Sequence, residues 1–241
     1  FNEMSVDIIL PNYNSELYIS ETINSIINQT FKNWKLIIID DHSNLETKEV
    51  LKQYESHPNI KIKWLSKNKK AGFCRNLIIR NCKSTYIAFI DSDDIWEKEK
   101  LSKQIDFMIN KNYLFTYTNY IAFKDESKTH SMRKVSTPEH FTFEKFIRNT
   151  SIGTSTMIIK RSAIGNIKFS NTKICEDYFF KCQVLKKVGY AYSLQENLTK
   201  YRIRKKSLQS SKIRNFYWIW YINKHYNCLN FFKNFISILC I

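Results

Sequence analysis

The chain has 241 residues, 43% of them apolar and 15% aromatic, which excludes a disordered polypeptide and allows one domain, or one with an appendage. Its 38 basic residues against 22 acidic give a formal charge of +16, so a polyanionic partner is expected: nucleic acid, anionic lipid or nucleotide phosphates. With only four glycines, neither Gly-x-Gly-x-x-Gly nor a phosphate-binding P-loop is present.

The first half alternates strands with helices. Val6 to Leu10 reads as a short buried strand ended by Pro11. From Ser15 to about Gln29, the residues Leu17, Ile19, Ile23, Ile26 and Ile27 approximate a helical stripe, with Ser15 as N-cap and Glu16 in the first turn. Leu36 to Ile39 is a second buried strand, closed by Asp40-Asp41-His42-Ser43. A helix over about Leu45–Tyr54, a strand at Ile60–Leu65 and a helix from about Gly72 to Cys82 follow. They lead into the apolar run Tyr86–Ile90. The pattern predicts α/β layering around a mainly parallel sheet.

The second half is less regular. A helix is expected over Lys98–Asn110, a strand over Leu114–Phe123, a polar mobile loop over 124–140, a strand at Thr156–Ile159, and a helix from Asp177 to Val188 ended by Gly189. Across 197–241 there are nine lysines and arginines and no acid, interleaved with Phe216-Tyr217-Trp218-Ile219-Trp220-Tyr221.

The most informative residues are Asp91-Ser92-Asp93-Asp94, at the end of a strand that is apolar throughout. Crowded carboxylates repel one another. A divalent cation removes that conflict, and an Asp-x-Asp at a strand end can hold one against a phosphate. Taken alone, such a cluster is more often a solvated turn or a helix cap. However, Pro11-Asn12-Tyr13-Asn14 and Asp40-Asp41 also follow strand ends, and in parallel α/β sheets ligands bind along that rim. Three polar clusters therefore share one edge. There, Tyr13 could stack on a nucleobase while Asp41 accepts a hydrogen bond from it; the plainer reading is a half-buried tyrosine and a turn. Arg75 could reach the same rim or lie in solvent. Glu176-Asp177 suits a helix start, where the helix dipole favours acids, and one carboxylate could also take a proton from an attacking hydroxyl. Within Tyr201–Lys206 one arginine could neutralise a leaving diphosphate; such a run is more often a surface patch.

In order along the chain, Val6–Asn14, Asn28-Gln29-Thr30-Phe31, Ile38–Ser43, Ala71–Asn76, Tyr86–Trp96, Glu176-Asp177 and Tyr201-Arg202 resemble the family 2 glycosyltransferases of the GT-A fold. The resemblance covers about residues 4–206. It implies a Rossmann-like α/β sandwich as domain 1–206, with a basic helical extension over 207–241. It also implies inverting transfer of a sugar from a UDP-sugar to a hydroxyl of a glycan or lipid-linked glycan in bacterial surface polysaccharide synthesis. By that similarity Tyr13 and Asp41 hold the uracil, and Pro11, Arg75, Ser92 and Arg202 complete the nucleotide site. Asp91 and Asp93 hold Mn²⁺ or Mg²⁺, Asp177 is the general base, and Glu176 stands beside the acceptor. The family often has Thr or Ser at Asn12 and Gly at His42, so the base pocket departs from the usual one there.

Cys74, Cys82, Cys175, Cys182, Cys228 and Cys240 form no Cys-x-x-Cys pair and read as reduced thiols. No leader of signal-peptide form and no run of ~18 apolar residues is seen, so a cytoplasmic location is expected. The basic, aromatic tail raises a further expectation, that the enzyme rests on the inner face of an anionic membrane; the competing expectation is that the aromatics pack back onto the domain. Two rival functions remain. A nucleic-acid-binding protein leaves the strand-end acids unexplained, so nucleic acid is not the expected partner. A sugar nucleotidyltransferase would want a glycine-rich loop that this chain lacks.

Overall fold

The computed structural model describes residues 4–124, 132–204 and 212–241. The first part runs β1 (Val6–Asn12), α1 (Ile19–Ile27), β2 (Trp34–Asp40), α2 (Leu45–Lys52), β3 (Ile60–Trp64), α3 (Ala71–Ile79), β4 (Tyr86–Phe89), β5 (Ile95–Trp96) and α4 (Lys100–Lys111). Then follow β6 (Phe115–Phe123), β7 (Met132–Val135), β8 (His140–Phe141) and α5 (Phe143–Phe146). A 3₁₀ turn (Thr154–Thr156), β9 (Ile158–Lys160), α6 (Arg161–Ile164), α7 (Glu176–Val188), β10 (Ala191–Arg202), α8 (Lys212–His225) and α9 (Phe231–Cys240) complete the chain.

The strands form one sheet in the order β3-β2-β1-β4-β9-β6-β10-β5, with β7 on β6 and β8 on β10. β3, β2, β1 and β4 pair parallel, as the alternation of strands and helices predicts. Beyond β4 the sheet is mixed: β9 lies antiparallel to both β4 and β6, while β6 and β10 pair parallel. β1 is buried along its length because helices cover both faces. Ile8 and Leu10 pack with Ile19, Ile23 and Ile26 of α1 in one core, and Ile9 packs with Phe89, Cys74 and Ile78 in the other.

Pro11 lies inside β1 instead of ending it. The pairing with β4 stops at Ile9, so no ladder bond on that side is lost. The first helix starts later than the apolar stripe suggests. Residues 15–18 form a turn in which the Ser15 carbonyl accepts from Tyr18 and Ile19 N–H. Ser15 is therefore not a side-chain cap, and Leu17 is 79% exposed. The expected loop over 124–140 contains β7 and β8; residues 125–131 of it lie outside the described residues.

The boundary expected at 206/207 also lies outside the described residues. On its far side, α8 packs back: Ile219 and Ile222 join the core that holds Phe180 and Leu185 of α7. Tyr178 Oη donates to Asn223 Oδ1 at 2.7 Å. No helix among the described residues is long and apolar enough to cross a membrane. Of the cysteines, Cys74, Cys82, Cys175 and Cys182 are buried, while Cys228 and Cys240 are exposed.

Candidate active site

The carboxyl ends of β1, β2 and β4 open onto a cleft of about 480 Å³. Pro11, Tyr13, Asp41, Arg75, Asp91, Ser92, Asp93, Glu176, Asp177 and Arg202 all line it, so every candidate from the sequence falls in one place. Residues about 100 positions apart meet because α7 begins at the rim where β4 ends.

At one end, Tyr13 is 52% exposed and presents a ring to the cleft. Beside it, Asn12 Nδ2 donates to Asp40 Oδ1 at 2.9 Å and Ser43 N–H donates to Asp40 Oδ2 at 3.0 Å. Asp40 thus locks the strand-end turn. His42 has φ +64°, the left-handed region in which glycine is unstrained, and its side chain points out to solvent. A glycine there is the unstrained choice, and the histidine leaves the pocket floor open. Asp41 accepts Lys69 N–H at 2.6 Å and Lys70 N–H at 2.7 Å, one per carboxylate oxygen. This fixes the turn into α3, and each oxygen keeps a second lone pair for a ligand.

In the middle stands a buried ion-pair network. Arg75 is 5% exposed, and donates from Nη2 to Asp91 Oδ1 at 2.7 Å and from Nη1 to Glu176 Oε1 at 2.8 Å. The sequence left Arg75 between rim and solvent; the structure makes it the clamp between β4's acidic end and α7. Gly72, one turn earlier on α3, permits that approach. A Cβ there would meet Ser170 O at 2.9 Å and Glu176 Cγ at 3.0 Å.

The three aspartates divide their work. Asp94 is buried, with Ser155 Oγ donating to Oδ2 and Arg202 N–H donating to Oδ1 at 3.0 Å. Burial, then the charges of Asp93 and Asp91, push its carboxyl well above the usual range. It ties the acidic loop to the 3₁₀ turn and β10. Asp91 and Asp93 face the cleft. Burial also raises Asp93, against the pull of Arg204, whose Nε lies 2.7 Å from Asp93 Oδ2.

Arg202, the arginine singled out from the run Tyr201–Lys206, lines the cleft but has its guanidinium engaged elsewhere. It lies between the rings of Tyr18 and Phe123, with centroids 4.7 and 4.6 Å away, pairs with Glu21, and donates to the Asp93 carbonyl at 2.9 Å. Arg204 is the arginine on a cleft carboxylate. Only the basic run as a whole signalled it.

At the far end, Glu176 and Asp177 occupy the first turn of α7, after Cys175 at φ +61°. Burial raises Glu176, with Arg75 opposing. Asp177 goes the other way. Burial would raise it, but the Lys181 ammonium at 2.8 Å, the Arg75 charge and the Thr154 hydroxyl at 2.7 Å outweigh that and hold its carboxyl well below the usual range. The segment 150–156 supplies this wall: Thr154 to Asp177, Ser155 to Asp94 and to Asp91 N–H at 3.0 Å. It carries no charge or periodicity, so nothing in the sequence marked it.

Sheet and rim are those of the GT-A fold. The solved TarS 1–349 of S. aureus in complex with UDP-GlcNAc superposes with a TM-score of 0.74 at 25% identity, over 90% of this chain and 64% of that one. A mannosyltransferase of Pyrobaculum calidifontis, in complex with GDP-Man and Mn²⁺, shares the fold at 14% identity (TM-score 0.72, 98% of this chain and 68% of that one). The profile of Glycosyl transferase family 2 matches residues 7–175, and the chain belongs to that family. Among relatives, TuaG of Bacillus subtilis, a glycosyltransferase named for teichuronic acid biosynthesis, is 33% identical over 95% of this chain and 90% of its own length. WfgD of Escherichia coli, a UDP-Glc:α-D-GlcNAc-diphosphoundecaprenol β-1,3-glucosyltransferase, is 33% identical over 87% of this chain and 81% of its own.

Proposed function

We propose that this glycosyltransferase moves a sugar, with inversion, from a UDP-sugar to a hydroxyl of a lipid-linked glycan, in the assembly of a bacterial surface polysaccharide at the inner membrane face. The observation that carries the reading is the order of groups along one cleft: a ring and a carboxylate at Tyr13 and Asp41, paired acids at Asp91 and Asp93, and a carboxylate pair at the start of α7. Nucleoside, diphosphate and acceptor need these in that sequence. The TarS complex with UDP-GlcNAc and the lipid-diphosphate acceptor in the name of WfgD support the choice of nucleotide and acceptor.

In this reading Tyr13 stacks on the uracil and Asp41 accepts a hydrogen bond from its imide N–H, while Pro11 and Ser92 bound the ribose. Among the described residues no group of three or more His, Cys, Asp or Glu side chains closes around an ion. The donor set still fits a cation that takes its other ligands from a diphosphate and water. Two hard carboxylates, Asp91 and Asp93, share the cleft, and Asp91 is among the charges that raise Asp93. When bound there, Mn²⁺ or Mg²⁺ supplies positive charge for the leaving diphosphate. Arg204 already sits on Asp93 Oδ2, so it must turn away or share that carboxylate, and the diphosphate is its natural next partner. Arg202 supports the same region from below by holding the Asp93 carbonyl.

Asp177 takes the proton of the attacking hydroxyl, and Glu176, fixed by Arg75, orients the acceptor. So acidic a carboxylate is fully charged at neutral pH and accepts the proton late, once the forming bond has made the hydroxyl acidic.

The test is transfer from a panel of UDP- and GDP-sugars to GlcNAc-diphosphate-lipid, read as labelled glycolipid. Transfer from a UDP-sugar in the presence of Mn²⁺ is expected. Transfer from a GDP-sugar alone would overturn the nucleotide assignment.

A further inference from the structure

We propose that α9 is a membrane-docking helix, which seats the enzyme on an anionic bilayer through Phe231, Phe232, Phe235, Ile236 and Leu239. The helix is inside out. Its polar residues Asn234 and Ser237 are 1% and 0% exposed, whereas Phe232 and Leu239 are 76% and 70% exposed and the other three large side chains also face outward. At 100° per residue the five outward side chains fall within an arc of about 140°, and Asn234 and Ser237 lie opposite.

Apart from Asn234 Oδ1, which is buried without a hydrogen-bond partner among the described residues, the inward polar atoms are bonded, and those bonds hold this orientation. Asn234 Nδ2 donates to Trp220 O at 3.1 Å, Ser237 Oγ donates to Ile147 O, and Asn223 Nδ2 donates to Ser237 Oγ at 3.1 Å. Turning the helix to hide its phenylalanines would strip those bonds. A contiguous apolar face of this size on a surface helix marks a binding surface, and a short amphipathic helix lies flat in a membrane interface.

The charges select the occupant. The helical segment 212–241 has no acid, against four lysines and arginines (Lys212, Arg214, Lys224 and Lys233). Lys233 flanks the arc and lies 3.4 Å from Glu144 of α5; Lys145 of that helix and Arg148 just after it are exposed. A second copy docked by the same face would set these cations against their own kind, whereas anionic headgroups complement them. The helix is also tied to the segment that leads into the cleft. Ser237 is tied to Ile147, and three residues later Thr150 begins the wall of the cleft. Docking through α9 therefore fixes a helix that is bonded to the segment leading into the cleft wall. The purpose of docking rests on the lipid-linked acceptor proposed above; the surface rests on α9 alone.

The test is flotation of the full chain with vesicles of phosphatidylcholine containing about one-third phosphatidylglycerol, and with phosphatidylcholine alone. The anionic vesicles should carry the protein, and the neutral ones should bind roughly tenfold less. Phe232→Ser with Leu239→Ser should lower partitioning to anionic vesicles by roughly tenfold or more, with melting temperature and UDP binding unchanged. Equal flotation of variant and wild type would overturn the proposal. So would a dimer in light scattering that the same substitutions abolish, since the occupant would then be a second copy. Vesicle binding without any UDP binding would sink the functional reading and leave the docking surface standing.

Discussion

Asp177→Asn should lower the transfer rate by roughly 10²–10⁴-fold while leaving the dissociation constant for UDP unchanged. The asparagine keeps an oxygen for the Thr154 hydroxyl and Lys181, so the wall of the cleft should hold its shape. The proton acceptor is lost, and with it the countercharge of the buried Lys181 ammonium, so the melting temperature is measured alongside the rate. The pH profile discriminates between the two carboxylates of α7. A base works deprotonated, so activity falls as pH drops through its pKa. Asp177 is held below the ordinary aspartate value of ~3.9, so with Asp177 as base, and with saturating Mn²⁺ to keep the raised Asp93 carboxyl charged, the rate stays flat down to that region. Glu176 is raised, and if it were the base the acid limb would appear above the ordinary glutamate value of ~4.3. Initial rates of the wild type between pH 4 and 8 read this directly. A near-wild-type rate for Asp177→Asn would remove the assignment.

The second large effect concerns stability. Arg75→Ala should cost about 3–5 kcal/mol, a fall in melting temperature on the order of 10 °C. The guanidinium carries hydrogen bonds to both Asp91 and Glu176 and is stacked 5.2 Å from the Phe169 ring centroid. Its removal leaves two carboxylates facing each other across a hole, with Asp177 close by. Because the cost is mostly uncompensated charge, Arg75→Ala with Glu176→Gln should recover part of the stability, measured by urea denaturation of both variants. A single variant as stable as wild type would show that Arg75 is not the clamp.

Much of the site was legible because of where parallel strands put their ends. β1, β2 and β4 are apolar runs, as strands covered on both faces must be, and each stops at a polar cluster on the same rim. Helix starts were less legible. Leu17 fits the apolar stripe of α1, yet Tyr18 rather than Ser15 precedes the first helical residue, because the turn at 15–18 intervenes. The mixed half of the sheet left little trace. β5 and β8 have two residues each and β9 has three, too few for a period of two to show. The Arg75 clamp joins Asp91 and Glu176, 16 and 101 positions away, and no local pattern records such a contact. In α8 nearly every position from Phe216 to Ile222 is apolar, so the inward face, Ile219 and Ile222, emerged only from packing on α7.

The central claim is that the acids ending β4 gather a cation against the diphosphate of a nucleotide held by Tyr13 and Asp41. A crystal of the enzyme with UDP and manganese tests it most directly, by anomalous scattering at the manganese edge. An ion about 2.1 Å from a carboxylate oxygen of Asp93 or Asp91, touching the diphosphate, is the predicted result. UDP bound in the cleft with no ion beside either aspartate would contradict it.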